Sequence, residues 1–198
     1  VPWASPTMLG AALARRRPRV VAVQHMAART VDLALLLRTR ALALRLDGNV
    51  AVSADGAKRI EDFYALGRGS VHVIHNGVPP PVAIGTTRPH RDVVVGCVGR
   101  LDPVKGQDVL IDALTRLPGV RARLIGSGAQ EVALRARATR LGVADRVELT
   151  GWSDRVADLL GDVDIYCQPS RYETLGLALI EAMGAGLPCV ASATGGVP

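Results

Sequence analysis

Short apolar runs alternate with helical patterns along most of the chain, and this alternation constrains the fold more than any other feature. From residue 93 onward each apolar run is followed by a segment of helical periodicity. Such an order implies parallel strand pairing through right-handed crossovers, and therefore a doubly wound α/β domain. The predicted strands are 93–98, 122–126, 147–150, 164–168 and 189–191, and the predicted helices are 107–117, 130–141, 156–160 and one that begins near Leu175 or Gly176.

The first part of the chain has the same order of elements. Residues 19–25 form a continuous apolar run of the kind buried on both faces in a parallel sheet. Two further strands are predicted at 49–52 and 71–74. Helices are predicted at 31–46 and from Ser53 to near Gly67, and an earlier helix is predicted to end near Arg17. His25 closes the first strand, at the edge where open α/β sheets bind ligands.

Residues 79–92 separate the two series and contain Pro, Gly, Thr and charge without an apolar period. That composition is typical of a linker. The sequence therefore predicts two Rossmann-like domains, 1–78 and 93–198, that face each other across a cleft. Since the chain does not begin with methionine, we expect an internal fragment.

The charge of the chain is concentrated near its beginning. The first 60 residues carry ten Lys/Arg against three Asp/Glu, with the densest run at 15–19. Such a section could contact anionic lipid or an acidic acceptor, or could be a solvated loop. Nucleic acid is not expected, because metal-ligand spacings and aromatic-rich strands are missing from the sequence.

The cysteines and the hydropathy indicate a cytoplasmic protein. Cys97, Cys167 and Cys189 each fall inside an apolar run without forming a C-x-x-C pair, so we expect reduced thiols in the core. The apolar stretch 31–46 is interrupted by charges and is shorter than the roughly 20 residues that span a bilayer. We expect a cytoplasmic location, with peripheral contact at the inner face of the membrane as an option.

A loop and helix at 169–192 carry two glutamates eight positions apart, Glu173 and Glu181. The helix start near Gly176 presents free N–H groups and the positive end of the helix dipole, which suit phosphate. Carboxylates on both sides of bound phosphate would accept hydrogen bonds from sugar hydroxyls. This arrangement fits a nucleotide sugar, although two solvated surface charges are the alternative.

A second candidate element follows the strand 93–98. It places Arg100 and Lys105 five positions apart in the loop 99–106. A guanidinium can bind two phosphate oxygens and a lysine supplies a mobile charge, so together they can hold a diphosphate. The alternative is that they are surface charges paired with Asp102 and Asp108.

These segments resemble the retaining GT-B glycosyltransferases often called family 4. Residues 169–196 are similar to the family's E-x7-E segment, and 99–106 to its G-R-L-x-x-x-K-G element. The turn at Gly126 resembles the G-x-G-like turn beside the nucleotide base, and 76–78 matches the N-G-V that ends the first domain. The resemblance implies metal-independent transfer of a sugar, with retention and no cofactor, from a nucleoside-diphosphate sugar to a glycan, lipid-linked or small-molecule hydroxyl.

The resemblance further implies that both domains are incomplete here. It also implies roles for individual residues. Arg100 and Lys105 would stabilise the departing diphosphate, Glu173 would bind sugar hydroxyls and Glu181 the ribose. His25 would serve the donor sugar or the acceptor. The remaining donor-binding positions are Gly99, Gly126, Thr174, Leu175, Gly176 and Leu177, the last four through backbone N–H groups. The family often has Gly-Phe where this chain has Thr174-Leu175, so the sugar preference stays open.

Trp152 ends a stretch that in the family contacts the base through its backbone, and its own side chain could equally belong to the core. Two other functions remain open from the sequence. One is a pseudo-glycosyltransferase or nucleotide-sugar sensor without turnover. The other is a glycoside hydrolase that uses Glu173 and Glu181 as its two carboxylates.

Overall fold

The computed structural model describes residues 19–25, 32–78 and 92–198. The chain divides into two compact units between Asn76 and Gly77. The predicted helix ending near Arg17 and the predicted linker, apart from Asp92, lie outside the described residues. Most of the basic run 15–19 also lies outside them.

The first unit contains a three-stranded parallel sheet in the order β1-β2-β3. Asp32 caps the first helix by accepting hydrogen bonds from the N–H groups of Ala34 and Leu35, and Ser53 caps the second at Gly56. The core of the unit includes Ala51, Ile60 and Tyr64. The elements are β1 (Val21–Gln24), α1 (Leu33–Arg45), β2 (Gly48–Ala51), α2 (Ala54–Phe63) and β3 (Val71–Val73).

The prediction that the first strand is buried on both faces is wrong. Ala22 and Gln24 are buried, but Val21 and Val23 are more than half exposed, at 56% and 55%. The reason is packing: the chain covers the face of β1 that carries Ala22 and Gln24 and leaves the face with Val21 and Val23 open. Hydrophobicity alone did not distinguish this strand from one with two covered faces.

The second unit contains a five-stranded parallel sheet in the order β6-β5-β4-β7-β8. The chain moves outward from β4 to β6 and then returns to place β7 on the other side of β4. Ligands of open α/β sheets bind at such a reversal, beyond the carboxyl ends of the strands. The elements are β4 (Val93–Val98), α3 (Gln107–Ala113), β5 (Val120–Ile125), α4 (Glu131–Arg140), β6 (Val147–Gly151), α5 (Val156–Leu160), β7 (Ile165–Gln168), α6 (Leu177–Gly184) and β8 (Cys189–Ala191).

The second sheet has two hydrophobic cores. One cluster includes Leu101, Ile111 and Leu124, and the other includes Leu160 and Tyr166. The predicted α/β class with parallel strands is confirmed. The predicted helix 107–117 is shorter, because α3 ends at Ala113 and continues as a 3-10 turn, Leu114–Arg116.

The three cysteines lie in strands, as predicted, and all are free thiols. Cys97 is buried, and burial raises the pKa of its thiol to about 12. Cys167 and Cys189 are only partly buried. Of the helices in the described ranges, none combines the length and apolar character needed to cross a membrane.

Candidate active site

Two loops meet at the carboxyl ends of β4 and β7. The N–H of Arg171 donates to the carbonyl oxygen of Val104 at 2.7 Å. Gly106 has a φ of 69°, and a Cβ at that position would lie only 2.0 Å from the carbonyl oxygen of Pro169. Glycine is therefore required here both for the backbone conformation and for the close approach of the loops.

Lys105 and Glu173 form an ion pair where these loops meet. The Nζ of Lys105 lies 2.6 Å from Oε2 of Glu173, and the two side chains are 25% and 12% exposed. The carboxylate of Asp102 accepts hydrogen bonds from the N–H groups of Val104 and Lys105 at 3.0 and 3.2 Å. Asp102 therefore holds the turn that directs Lys105 toward Glu173. The sequence placed both residues at the site but did not predict their contact.

Glu173 has two further hydrogen-bond donors that the sequence did not indicate. Nε2 of Gln168 lies 2.6 Å from Oε2, and the hydroxyl of Ser170 lies 3.3 Å from the same oxygen. The hydroxyl of Tyr166 donates in turn to Oε1 of Gln168 at 2.7 Å. The sequence does contain a signal for the pair Tyr166 and Gln168: these two polar residues occupy alternate positions of β7 and therefore share a face of the strand.

Arg100 lies on the outer side of the same loop. Its side chain is 71% exposed and pairs with Asp102. Partial burial raises the pKa of Asp102, but the hydrogen bond and charge of Arg100 outweigh it, so that the net pKa is lowered. The ion pair of Arg100 with Asp102 that the alternative expected is thus present, whereas Asp108 pairs with Arg171 and not with Lys105.

The start of α6 lies beside Glu173. Gly176 precedes the helix with a φ of 82°, and no described side chain caps the first turn. The carbonyl oxygen of Glu173 accepts from the N–H of Gly196 at 2.9 Å, which fixes the turn from behind. Leu175 is buried, so only its main chain can face a ligand. Glu181 is exposed, one turn into α6.

A cavity of about 570 Å³ lies at the carboxyl ends of β4, β5 and β6. Gly99 and Gly126 pack directly together in its wall, because a Cβ on Gly126 would lie 2.1 Å from the carbonyl oxygen of Gly99. Trp152 lines the cavity with 74% of its surface exposed, so the alternative that it belongs to the core is wrong. The other lining residues include Arg100, Ser127 and Ser153.

In the first unit, His25 follows β1 and is exposed. Its Nδ1 lies 3.4 Å from Nδ2 of Asn76, a residue beyond the end of β3. The sequence placed both residues after strands but did not predict their contact. Within residues 19–25, 32–78 and 92–198, no three His, Cys, Asp or Glu side chains are grouped so that they could hold a metal ion.

Comparison with known proteins identifies the family. The model of the family described as glycosyl transferases group 1 matches residues 85–198, more than half of the chain. The chain belongs to this family. The matched residues include all of the second sheet, both interlocked loops and the cavity.

Curated relatives are glycosyltransferases. A D-inositol 3-phosphate glycosyltransferase of Segniliparus rotundus is 32% identical over the whole chain and 49% of its own length. A protein of the same name from Mycobacteroides abscessus is 44% identical over 53% of the chain and 25% of its own length. The chain thus spans a quarter to about half the length of these relatives.

Solved structures of Anabaena HepE have the same fold. Anabaena HepE in complex with UDP superposes with a TM-score of 0.80 at 28% identity, over 96% of this chain and 57% of HepE. HepE in complex with UDP-glucose gives 0.79 at 29% identity, over 96% and 58%. The predicted GT-B fold class is confirmed by these likenesses.

Proposed function

We propose that this chain supplies the donor-binding part of a glycosyltransferase that moves a sugar from a nucleoside-diphosphate sugar to an acceptor hydroxyl. The transfer retains the configuration of the anomeric carbon and uses neither a metal ion nor a cofactor. The observation that carries the proposal is the Lys105–Glu173 ion pair at the reversal between β4 and β7. It places a cation for phosphate next to a carboxylate for hydroxyl groups.

The diphosphate is bound by Arg100, Lys105 and the start of α6. Arg100 is exposed and held by a single carboxylate, so its guanidinium can turn to two phosphate oxygens. The uncapped N–H groups around Leu177 add the positive end of the helix dipole. Together these groups stabilise the negative charge that develops on the leaving diphosphate, which is why no metal ion is needed.

The sugar and the nucleoside occupy opposite sides of the diphosphate. Glu173 accepts hydrogen bonds from the sugar hydroxyls, while Thr174 and Leu175 contribute their main chain. Glu181 binds the ribose, and the base enters the cavity of about 570 Å³ beside Gly99 and Gly126. That volume is within the usual range for small-molecule sites. The UDP and UDP-glucose complexes of HepE support a uridine diphosphate donor.

Transfer takes place on one face of the sugar. The bond between the anomeric carbon and the phosphate oxygen breaks, and the acceptor oxygen bonds to the same carbon from the same side. The acceptor proton passes to the departing phosphate oxygen, so no side chain has to act as a base. His25 binds the donor sugar or the acceptor from the first unit.

The interaction partners beyond the donor are proposed more generally. The acceptor is a hydroxyl of a glycan, a lipid-linked molecule or a small molecule, and nucleic acid is not a partner. The basic beginning of the chain contacts anionic lipid, which would bring a cytoplasmic protein to the inner face of the membrane. Liposome co-sedimentation with and without anionic lipid tests that contact, and equal binding to both would contradict it.

A donor screen tests the central proposal. The protein is incubated with UDP-, GDP- and ADP-sugars and an acceptor mixture, and mass spectrometry follows release of the nucleoside diphosphate. We expect one nucleotide to be released, with undiminished rate in the presence of a chelator. Tight nucleotide binding without release would favour a nucleotide-sugar sensor, and release of free sugar from glycosides without nucleotide binding would favour a hydrolase.

A further inference from the structure

The carboxylate of Glu173 is hydrogen-bonded to a buried polar pair, Tyr166 and Gln168, that lies in β7 and not in the loops after β4 and β7. Gln168 is 3% exposed and Tyr166 is fully buried, and both lie in β7, the strand that leads into the loop with Glu173. The hydrogen bonds run from Tyr166 to Gln168 at 2.7 Å and from Gln168 to Glu173 at 2.6 Å. Two polar side chains are thus buried in a hydrophobic cluster with Glu173 at the end of their chain of hydrogen bonds.

The chemistry of the three groups fixes the direction of these hydrogen bonds. An ionised carboxylate only accepts, so the amide nitrogen of Gln168 must face Glu173. The amide oxygen then faces Tyr166, which must donate its hydroxyl proton. Burial raises the pKa of Tyr166, so this hydroxyl keeps its proton. The amide of Gln168 therefore has one orientation that satisfies both neighbours.

All three donors reach the same oxygen of Glu173. Lys105 and Gln168 lie 2.6 Å from Oε2, and Ser170 lies 3.3 Å from it. Among the described residues, no donor reaches Oε1. The carboxylate is therefore held by one oxygen, and the other remains as an acceptor for a ligand.

Lys105 and Gln168 differ in what happens when a diphosphate binds. The ammonium of Lys105 is attracted to phosphate and is on a flexible stem, so it can leave Glu173. The amide of Gln168 is neutral, buried and held by Tyr166, so phosphate does not compete for it. Only the second contact can keep Glu173 in place throughout donor binding.

We propose that Tyr166 and Gln168 are a positioning pair that fixes the carboxylate of Glu173 toward the sugar of the donor, independently of Lys105. The inference deepens the proposed function and rests on it. Neither residue touches the substrate, so their loss weakens recognition of the sugar while recognition of the nucleoside diphosphate stays intact.

The test is the double variant Tyr166→Phe/Gln168→Met. The double variant removes both partners of the Tyr166–Gln168 hydrogen bond together, so neither is left without the other and the fold is preserved better than in either single variant. Calorimetry of the full chain with UDP, GDP and ADP selects the nucleotide, which is then compared with its glucose conjugate. We expect unchanged affinity for the nucleotide and a loss of about tenfold in the additional affinity contributed by the sugar, the scale of one charged hydrogen bond.

Asn49→Leu is the matched control. Asn49 is also a buried amide that donates one hydrogen bond, to the carbonyl oxygen of Ala43 in the first unit, and it does not contact Glu173. This variant should lose stability without any change in the contribution of the sugar. An equal loss in the control and the double variant would show a general structural effect and overturn the inference.

The remaining outcomes separate the two proposals. The wild-type chain could bind the nucleotide without any additional affinity from glucose, or the double variant could keep that additional affinity unchanged. Either result would overturn the positioning role alone. If no nucleotide binds to the folded wild-type chain, the proposed function fails. A crystal structure of the double variant with the nucleotide bound decides the geometry separately, because Lys105 is then drawn to the phosphates: we expect Glu173 in a different rotamer, and an unchanged rotamer would overturn the inference.

Discussion

The carboxyl ends of the two parallel sheets differ in how firmly they hold their functional side chains. In the second unit, Lys105 and Glu173 are largely buried and are fixed by several short hydrogen bonds. In the first unit, His25 is exposed and has one described contact, to Asn76 at 3.4 Å. Under the proposed function the donor therefore meets a preorganised site, whereas the histidine is free to adapt to what it meets.

Replacing Gly106 by alanine should have the largest effect, because it separates the two interlocked loops. Both the positive φ and the contact with Pro169 oppose a Cβ, with an expected loss of roughly 2 to 5 kcal/mol in the free energy of unfolding. Urea denaturation measures the loss, and nucleotide binding should fall with it.

Gly119 is a matched control for this substitution. It has a similar φ of 75°, but a Cβ there would meet nothing within 4 Å. Gly119→Ala should therefore cost only the conformational strain, about 1 to 2 kcal/mol. Equal losses in the two alanine variants would contradict the importance of the loop contact.

Removing either phosphate-binding cation should slow transfer strongly. We expect Lys105→Ala and Arg100→Ala each to lower turnover by roughly 10² to 10³, the scale of one preorganised transition-state donor. Steady-state kinetics should show a smaller effect on donor binding. Arg135→Ala removes an exposed cation of α4 that pairs with Glu131, and should be neutral. Wild-type turnover in both site variants would rule out diphosphate binding by Arg100 and Lys105.

The histidine of the first unit should contribute less. His25→Ala is expected to lower turnover by about tenfold, the scale of a neutral hydrogen bond, with nucleotide affinity unchanged. Asn76→Ala should change stability by less than about 0.5 kcal/mol, because the contact is exposed and long. A loss as large as that of Lys105→Ala would show that the first unit is as preorganised as the second.

The smallest effect concerns pH. Arg171 donates hydrogen bonds to both carboxylate oxygens of Asp108 and thereby lowers the pKa of Asp108. These two hydrogen bonds connect the loop after β7 to α3. Because the folded pKa lies below the unfolded value of about 3.9, the stabilisation is present at higher pH and is lost as the pH falls through the folded value. Asp108→Asn should flatten the fall of Tm below about pH 4, whereas parallel curves would contradict this role.

The order of elements followed from the sequence, because the periods of strands and helices are local properties. The loop after β4 and the start of α6 could be located for the same reason. Contacts that depend on which strands become neighbours could not be found. The ion pair of Lys105 with Glu173 exists only because β7 returns beside β4, and nothing in the local pattern specifies that return.

Burial was harder to predict than element type. The exposure of Val21 and Val23 depends on which face of β1 is covered, and the exposure of Trp152 depends on its position in the lining of a cavity. Both are properties of the assembled sheet. For Lys105, one alternative from the sequence was a partner nearby in the chain, Asp108. Its actual partner, Glu173, lies 68 residues away.

The strand order of the second sheet has a consequence for synthesis of the chain. Strands β4 to β6 pair in the order in which they emerge, so they can assemble early through contacts of short sequence separation. Until β7 has emerged, one edge of β4 remains unpaired, and an open hydrophobic edge promotes association with other chains. Strands β7 and β8 thus both close that edge and bring Glu173 to Lys105, so that a ribosome that stops before β7 releases a product that lacks this ion pair and is prone to aggregate.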